Sequence, residues 1–214
     1  MTMAMSKHFL AAWLRNPLQT GALLPSGADL AQAMAAQVHP GLGGVLELGA
    51  GTGAITRALF ERGLRVGELI LVEKDPGLAD LLARRFPDAV VLRGDAGRLK
   101  RLLLAEGVGH PQTVVSSLPL LSMPGLTRLR VLSEIVSVLG PGGTYVQFTY
   151  SPRPPIPVAL AAALGVTGTR VARVPWNLPP AAVWVYRRQT GVAARCGGGL
   201  GGPSHKRTLG VADE

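Results

Sequence analysis

The clearest chemistry in the sequence lies in residues 45–55, where Glu47 is followed by glycines at alternate positions, Gly49, Gly51 and Gly53. Val45, Leu46 and Leu48 around the acid read as a short buried strand, and residues 56–61 carry a helical pattern, so the glycines form a tight strand-to-helix turn. Glycine is required where the backbone turns sharply or must lie close to a ligand. The helix start just beyond presents free backbone N–H groups.

Two kinds of cofactor fit such a turn. Gly49, Gly51 and Ala54 satisfy the dinucleotide spacing, with Glu73 downstream as the ribose acid. Glu47 separates the two. A dinucleotide brings negative phosphates over the turn, which a carboxylate at the strand end repels. S-adenosylmethionine has no phosphate and carries a sulfonium and an ammonium, which the same carboxylate attracts. A glycine turn without a ligand would leave a charge among leucines for no purpose.

Strand and helix then alternate. Strands are expected at residues 68–73, 89–93, 113–117 and 144–150, and helices at 76–86, 98–106 and 126–139. This implies a parallel sheet covered on both faces, with ligands at the C-terminal strand ends. Polar residues stand at those ends. Glu73 is placed to accept ribose hydroxyls, and Asp95, with the Ala96 N–H, to hold an adenine amino group. Ser116 and Ser117 would lie under a transferring methyl. Methyl transfer is an in-line displacement that needs an aligned acceptor with a free lone pair. A primary amine, with a pKa of roughly 10, must first lose its proton. No His or Cys lies near a strand end to take it. Tyr150 is the best residue to orient the nitrogen, with Ser117 beside it; a plain core or rim tyrosine is the alternative.

Upstream, residues 26–38 read as a helix capped by Ser26 with Asp29 three residues on, in position to lie over the cofactor. Residues 6–14 form a short amphipathic pattern, with Phe9, Leu10, Trp13 and Leu14 on one stripe and Lys7, His8 and Arg15 at its flanks. That suits a helix lying in a membrane interface, or equally one packed on its own core. Downstream, residues 171–174 and 182–187 read as two last strands, and the glycine-rich stretch from residue 190 reads as disordered. The expected organisation is an N-terminal helix and loop (1–25), one α/β domain (26–189) and a basic tail (190–214).

The chain has 214 residues, 47% of them hydrophobic, and a net charge of +9. That suits one domain with a full core. Its single cysteine, Cys196, excludes an internal disulfide and a cysteine zinc site, and no metal is expected. Every acid except Asp213 and Glu214 lies between Asp29 and Glu134, so both ends are basic. A basic surface expects nucleic acid or anionic lipid, unless it is only a solvated arginine-rich face. With no secretory pattern and no spanning segment, the expected place is the cytoplasm, peripheral to the inner face of the cell membrane.

The glycine turn resembles motif I of class I methyltransferases, E/D-x-G-x-G-x-G. From Phe9 to Arg188 the chain resembles the ribosomal RNA adenine dimethyltransferase superfamily, and most of all the soluble bacterial phospholipid N-methyltransferases. The matching stretches include Asn16-Pro17-Leu18-Gln19-Thr20-Gly21-Ala22, Ser117-Leu118-Pro119-Leu120-Leu121, Gln147-Phe148-Thr149-Tyr150 and Asn177-Leu178-Pro179-Pro180. The resemblance implies a Rossmann-like, mostly parallel seven-stranded sheet with helices on both faces. It also implies S-adenosylmethionine as cofactor, an N-terminal membrane-binding helix, and stepwise methylation of phosphatidylethanolamine to phosphatidylcholine.

The alternative within the superfamily is methylation of adenine in RNA. Adenine enzymes carry Asn-x-Pro-aromatic after strand four, whose amide holds the adenine amino group and whose ring stacks on the flipped base. Here serine replaces the amide and leucine replaces the ring in Ser117-Leu118-Pro119-Leu120, so the turn is kept and the base-reading groups are gone. No nucleic acid is therefore expected as partner. The expected partners are an anionic membrane surface, met through Lys7, Phe9, Trp13 and Arg15, and a lipid head group. Tyr150, Phe148 and Trp176 are aromatic candidates for holding the head group as it becomes a cation.

Overall fold

A computed structural model describes residues 25–189, with side chains from residue 27. The expected helix with Phe9 and Trp13 and the glycine-rich tail lie outside the described residues.

Strands β1 (Val45–Leu48), β2 (Leu69–Glu73), β3 (Val90–Arg93), β4 (Thr113–Ser116) and β5 (Thr144–Thr149) are parallel, and each parallel crossover between them passes through a helix. The helices are α1 (Pro25–Ala35), α2 (Ala54–Glu61), α3 (Pro76–Arg85), α4 (Leu99–Ala105), α5 (Gly125–Val138) and α6 (Val158–Ala163). Strands β6 (Val166–Val174) and β7 (Ala181–Arg188) form an antiparallel hairpin, with β7 inserted beside β5. The seven-stranded sheet has the order β3-β2-β1-β4-β5-β7-β6. The chain leaves β1 towards one edge and returns at β4 towards the other, so a switch point opens between those two strands at their C-terminal ends.

The parallel strands are apolar on both faces because helices cover both. On one face Leu30, Met34, Ile55, Leu59 and Leu82 bring α1, α2 and α3 onto Val45, Val115 and Val146. On the other, Leu99, Leu103, Leu132, Ile135 and Ala161 bring α4, α5 and α6 onto Leu46, Leu48 and Val114.

Three expectations change. Helix α1 starts at Pro25 and ends at Ala35, so Ser26 sits inside the first turn and does not precede it; proline's fixed φ suits it to open a helix. The helix packs on α2 and on β5, β7 and β6. Strand β6 runs five residues further back than its apolar end suggests, from Val166. Its first half hides behind Gly168 and polar neighbours. Gly168 is paired with Tyr186, and a Cβ there would lie 2.3 Å from the ring, so the glycine makes room for the aromatic across the ladder. Residues 156–166, read only as an apolar run too short to span a bilayer, contain α6. No helix among the described residues is long and apolar enough to cross a membrane.

Candidate functional site

The loop after β1 and the turn after β4 meet at the switch point. The Gly49 N–H donates to the Val72 carbonyl at 2.8 Å, and the Ser117 N–H donates to the Leu48 carbonyl at 3.0 Å. Gly49, Gly51 and Gly53 all have positive φ (68°, 59° and 82°), and their neighbours divide them between two tasks. A Cβ on Gly49 would lie 3.0 Å from Leu118 Cδ2, and one on Gly53 would lie 2.4 Å from the Phe86 ring. One on Gly51 would meet only the Gly49 carbonyl, at 3.8 Å. Gly49 and Gly53 therefore pack the loop against its surroundings, and Gly51 faces open space on the side where a ligand would approach.

Glu47 is fully buried. Strand alternation puts its side chain on the Val45 face, under α2. Its Oε2 accepts the Thr56 hydroxyl at 2.7 Å, while Oε1 has no partner. Burial pushes the carboxyl up to about 8, against the lowering effect of the Thr56 hydrogen bonds. An unpartnered buried oxygen costs about 1–3 kcal/mol. A cationic ligand nearby would satisfy it and draw the proton off.

Glu73, at the end of β2, is buried and turned towards the glycine loop. Its Oε2 accepts the Gly51 N–H at 3.0 Å, and its Oε1 accepts the N–H groups of Lys74 and Asp75 at 2.8 and 2.9 Å. It fixes the loop from below. Asp95, after β3, accepts the Gly97 N–H through Oδ1 and the Lys74 ammonium through Oδ2, both at 2.8 Å. Those two bonds hold its carboxyl below the usual range, with Lys74 the larger effect. Ala96 is buried at the start of the turn that Asp95 caps.

Beyond β4 the chemistry changes. The Ser116 hydroxyl is buried and accepts the Leu118 N–H at 3.2 Å, so it shapes the turn from within. Ser117 is half-buried one residue further on. Leu120, where adenine enzymes carry their ring, is 2% exposed and packs into the core below α5. Tyr150, just past β5, lies edge-on to Phe148 with ring centroids 5.2 Å apart. Burial raises its phenol, and a hydrogen bond with Asn177 opposes that. A phenol held neutral can orient a nitrogen but cannot act as its base. Trp176 stands 85% exposed on the β6–β7 connection, away from an enclosed aromatic pair.

The structure therefore brings Glu47, the three glycines, Glu73, Asp95, Ser117 and Tyr150 to one edge of the sheet. Sequence reading passed over three residues here. Thr56 is Glu47's one hydrogen-bond partner. Arg85 donates to the Thr52 carbonyl at 3.0 Å and braces the glycine loop. Gln147, 1% exposed, donates through Nε2 to the carbonyls of Leu118 (3.1 Å) and Phe148 (2.9 Å) and accepts the Tyr145 hydroxyl at 2.6 Å. An uncharged amide in the middle of an apolar strand was the signal for Gln147.

No family model matches the sequence. The chain is 37% identical to the ornithine lipid N-methyltransferase of Singulisphaera acidiphila over 111 residues, which span 50% of this chain and 58% of that protein. It is 38% identical to the ribosomal RNA small subunit methyltransferase A of Anaeromyxobacter dehalogenans over 101 residues, spanning 47% of this chain and 32% of that one. The chain thus matches less than two thirds of the length of either relative. Among solved structures, magnesium protoporphyrin IX methyltransferase from Synechocystis with bound S-adenosylhomocysteine superposes with a TM-score of 0.62 at 12% identity, covering 86% of this chain and 95% of that one. The 1,6-didemethyltoxoflavin N1-methyltransferase of Burkholderia thailandensis gives 0.61 at 18% identity, covering 89% and 93%. The fold is that of the class I methyltransferases.

Proposed function

We propose that this chain is an S-adenosylmethionine-dependent N-methyltransferase acting on the primary amine of a membrane lipid. The observation that carries the reading is Glu47, a fully buried carboxyl with one oxygen unpartnered beside a glycine loop. The donor set fits a cationic cofactor. Glu47 would face its positive groups, Gly51 would give its backbone close approach, and Glu73 and Asp95 would take its ribose and adenine. When bound, S-adenosylmethionine supplies a methyl on a sulfonium; the C–S bond breaks as a C–N bond forms, and sulfur keeps the electron pair.

The chain's own part is to hold the acceptor nitrogen in line and strip it of water. Ser117 and the neutral phenol of Tyr150 stand at the ends of the two strands beside the loop. Desolvation there lowers the pKa of an ammonium and favours its neutral form, and solvent receives the proton. Leu118 on Gly49 and the buried Leu120 make this side apolar, and neither offers a stacking surface or an amide for a base. Lipid acceptors suit that surface better than adenine. Phosphatidylethanolamine, converted in up to three steps to phosphatidylcholine, is the acceptor we favour. The relative named for ornithine lipid N-methylation supports a lipid amine in general.

The test is transfer of labelled methyl from S-adenosylmethionine to vesicles containing phosphatidylethanolamine, to vesicles containing ornithine lipid, or to ribosomal RNA. Mono-, di- and trimethylated phosphatidylethanolamine is the expected product. Label in ornithine lipid alone would move the substrate within the class, and label in RNA alone would overturn the reading.

A further inference from the structure

Three segments leave the sheet at the edge where the candidate site lies: the turn after β4 leading into α5, the loop from β5 to α6, and the β6–β7 connection. The register keeps them neighbours. Ser116 pairs with Gln147, Thr149 with Ala182, and Ala182 with Arg173. The first and the last present large apolar side chains to solvent. Leu126 opens α5 at 85% exposed, and Trp176 and Leu178 project from the β6–β7 connection at 85% and 72%. Scattered apolar exposure is ordinary, but a cluster on one rim beside a site marks an interaction surface.

The charge on this rim has one sign. Arg153 and Arg173 are exposed on the same segments or at their flanks, while Arg130 on α5 lies beside Asp95. No Asp or Glu occurs between Glu106 and Glu134, nor between Glu134 and Asp213. Aliphatic side chains with one tryptophan, flanked by arginines on segments that carry no acid, match an anionic bilayer, where apolar tips enter the acyl boundary and arginines meet head groups. Single-stranded nucleic acid would call for several exposed stacking aromatics, and this rim has one, Trp176.

We propose that this rim docks onto an anionic lipid surface, with Leu126, Trp176 and Leu178 inserted and the C-terminal strand ends facing the bilayer. The proposal rests on the lipid reading above and deepens it. It places the membrane contact in the folded domain at the mouth of the site, apart from the expected N-terminal helix. A head-group amine would then reach Ser117 and Tyr150 without the lipid leaving the bilayer.

The test uses the full chain with Trp13→Phe, so that emission comes from Trp176 and the half-buried Trp184. Vesicles of phosphatidylethanolamine and phosphatidylglycerol with brominated acyl chains should quench Trp176 and shift it to the blue, less so at high salt. The pair Leu126→Ser and Leu178→Ser, both at exposed positions, should weaken vesicle flotation at least tenfold. It should leave the melting temperature and the turnover of detergent-dispersed lipid unchanged. Unquenched Trp176, wild-type flotation of the pair, or protection of Trp176 by RNA instead of vesicles would each overturn the docking surface. Quenching without methylation of any lipid would leave docking standing and sink the functional reading; methylation of vesicle lipid by the pair at the wild-type rate would do the reverse.

Discussion

The β1–β3 half of the sheet and the β4–β7 half meet at one edge but are built from different chemistry. In the first half, acids at the strand ends are tied to backbone N–H groups, to Thr56 or to Lys74. In the second half the polar groups at the strand ends are neutral: Ser116, Gln147, Tyr150 and Asn177, bonded mostly to the carbonyls and amides of the turns they hold. A ligand with positive charge and many hydroxyls needs the first kind of surface. An acceptor that must shed water and a proton needs the second. The comparison predicts that substitutions in the two halves separate cofactor affinity from turnover.

The sharpest test of the first half is Glu47→Gln. The change keeps shape and the acceptor for Thr56 but removes the charge. Loss of a charge-assisted contact in a buried site costs about 3 kcal/mol, so S-adenosylmethionine affinity should fall roughly a hundredfold by calorimetry, with the melting temperature near neutral pH held or raised. Unchanged affinity would break the assignment of Glu47 to the cofactor.

The same residue gives a pH signature. Its folded-state carboxyl titrates at about 8 against an ordinary 4.5, so between those values the folded chain holds a proton that the unfolded chain has lost. Stability should therefore decline as pH rises from about 4.5 to about 8 and level off above it. On the assignment of Glu47 to the cofactor's positive groups, binding needs the ionised form, so affinity should rise with pH below about 8, approaching tenfold per unit, and flatten beyond. Glu47→Gln should remove both slopes. Equal slopes in wild type and variant would assign them to another group.

These two halves also differed in how far the sequence exposed them. The glycine loop declares itself because three glycines at alternate positions beside an acid have few structural uses, and the alternation of apolar strand and helix fixed the parallel sheet around it. Glu47's burial and its orphaned oxygen were not legible, since they depend on α2 closing over β1 and on Thr56 arriving from the next helix. The second half spoke mainly through what it lacks, an Asn and an aromatic after β4. The amide of Gln147 in an apolar strand marked the residue but not its role, because its partner, the Leu118 carbonyl, lies 29 residues earlier and is brought near only by the β4–β5 ladder. The early half of β6 was hidden for a similar reason, because Gly168 weakens a strand pattern unless Tyr186 is known to lie across from it.

Gln147→Leu tests the second half. It removes the donor that holds the Leu118 carbonyl and leaves the Tyr145 hydroxyl without its acceptor. The Ser117-Leu118-Pro119 turn should loosen. Turnover should fall by about tenfold, the effect of roughly 1.4 kcal/mol in positioning, while S-adenosylmethionine affinity stays within twofold. Gln147→Glu should rescue it only in part, because a buried carboxyl held neutral has a single O–H for the two carbonyls that Nε2 serves. Equal losses in affinity and turnover would mean that the halves are not separable.

The smallest effect compares two glycines within the first half. Alanine at Gly51 meets no atom nearer than 3.8 Å and carries only the strain of φ 59°, about 1 kcal/mol. For a domain of this size that is a loss of about 2–4 °C in melting temperature. Alanine at Gly53 carries similar strain and also drives a methyl to 2.4 Å from the Phe86 ring, so α3 or the helix start must shift and the loss should be several times larger. Affinity should order the other way per degree lost. Gly51→Ala puts its methyl into the open side of the loop and should weaken S-adenosylmethionine binding although the fold barely changes. Gly53→Ala should weaken binding only as far as it destabilises the loop. If Gly51→Ala bound the cofactor as wild type does, the open side of the loop would not be the side the ligand uses.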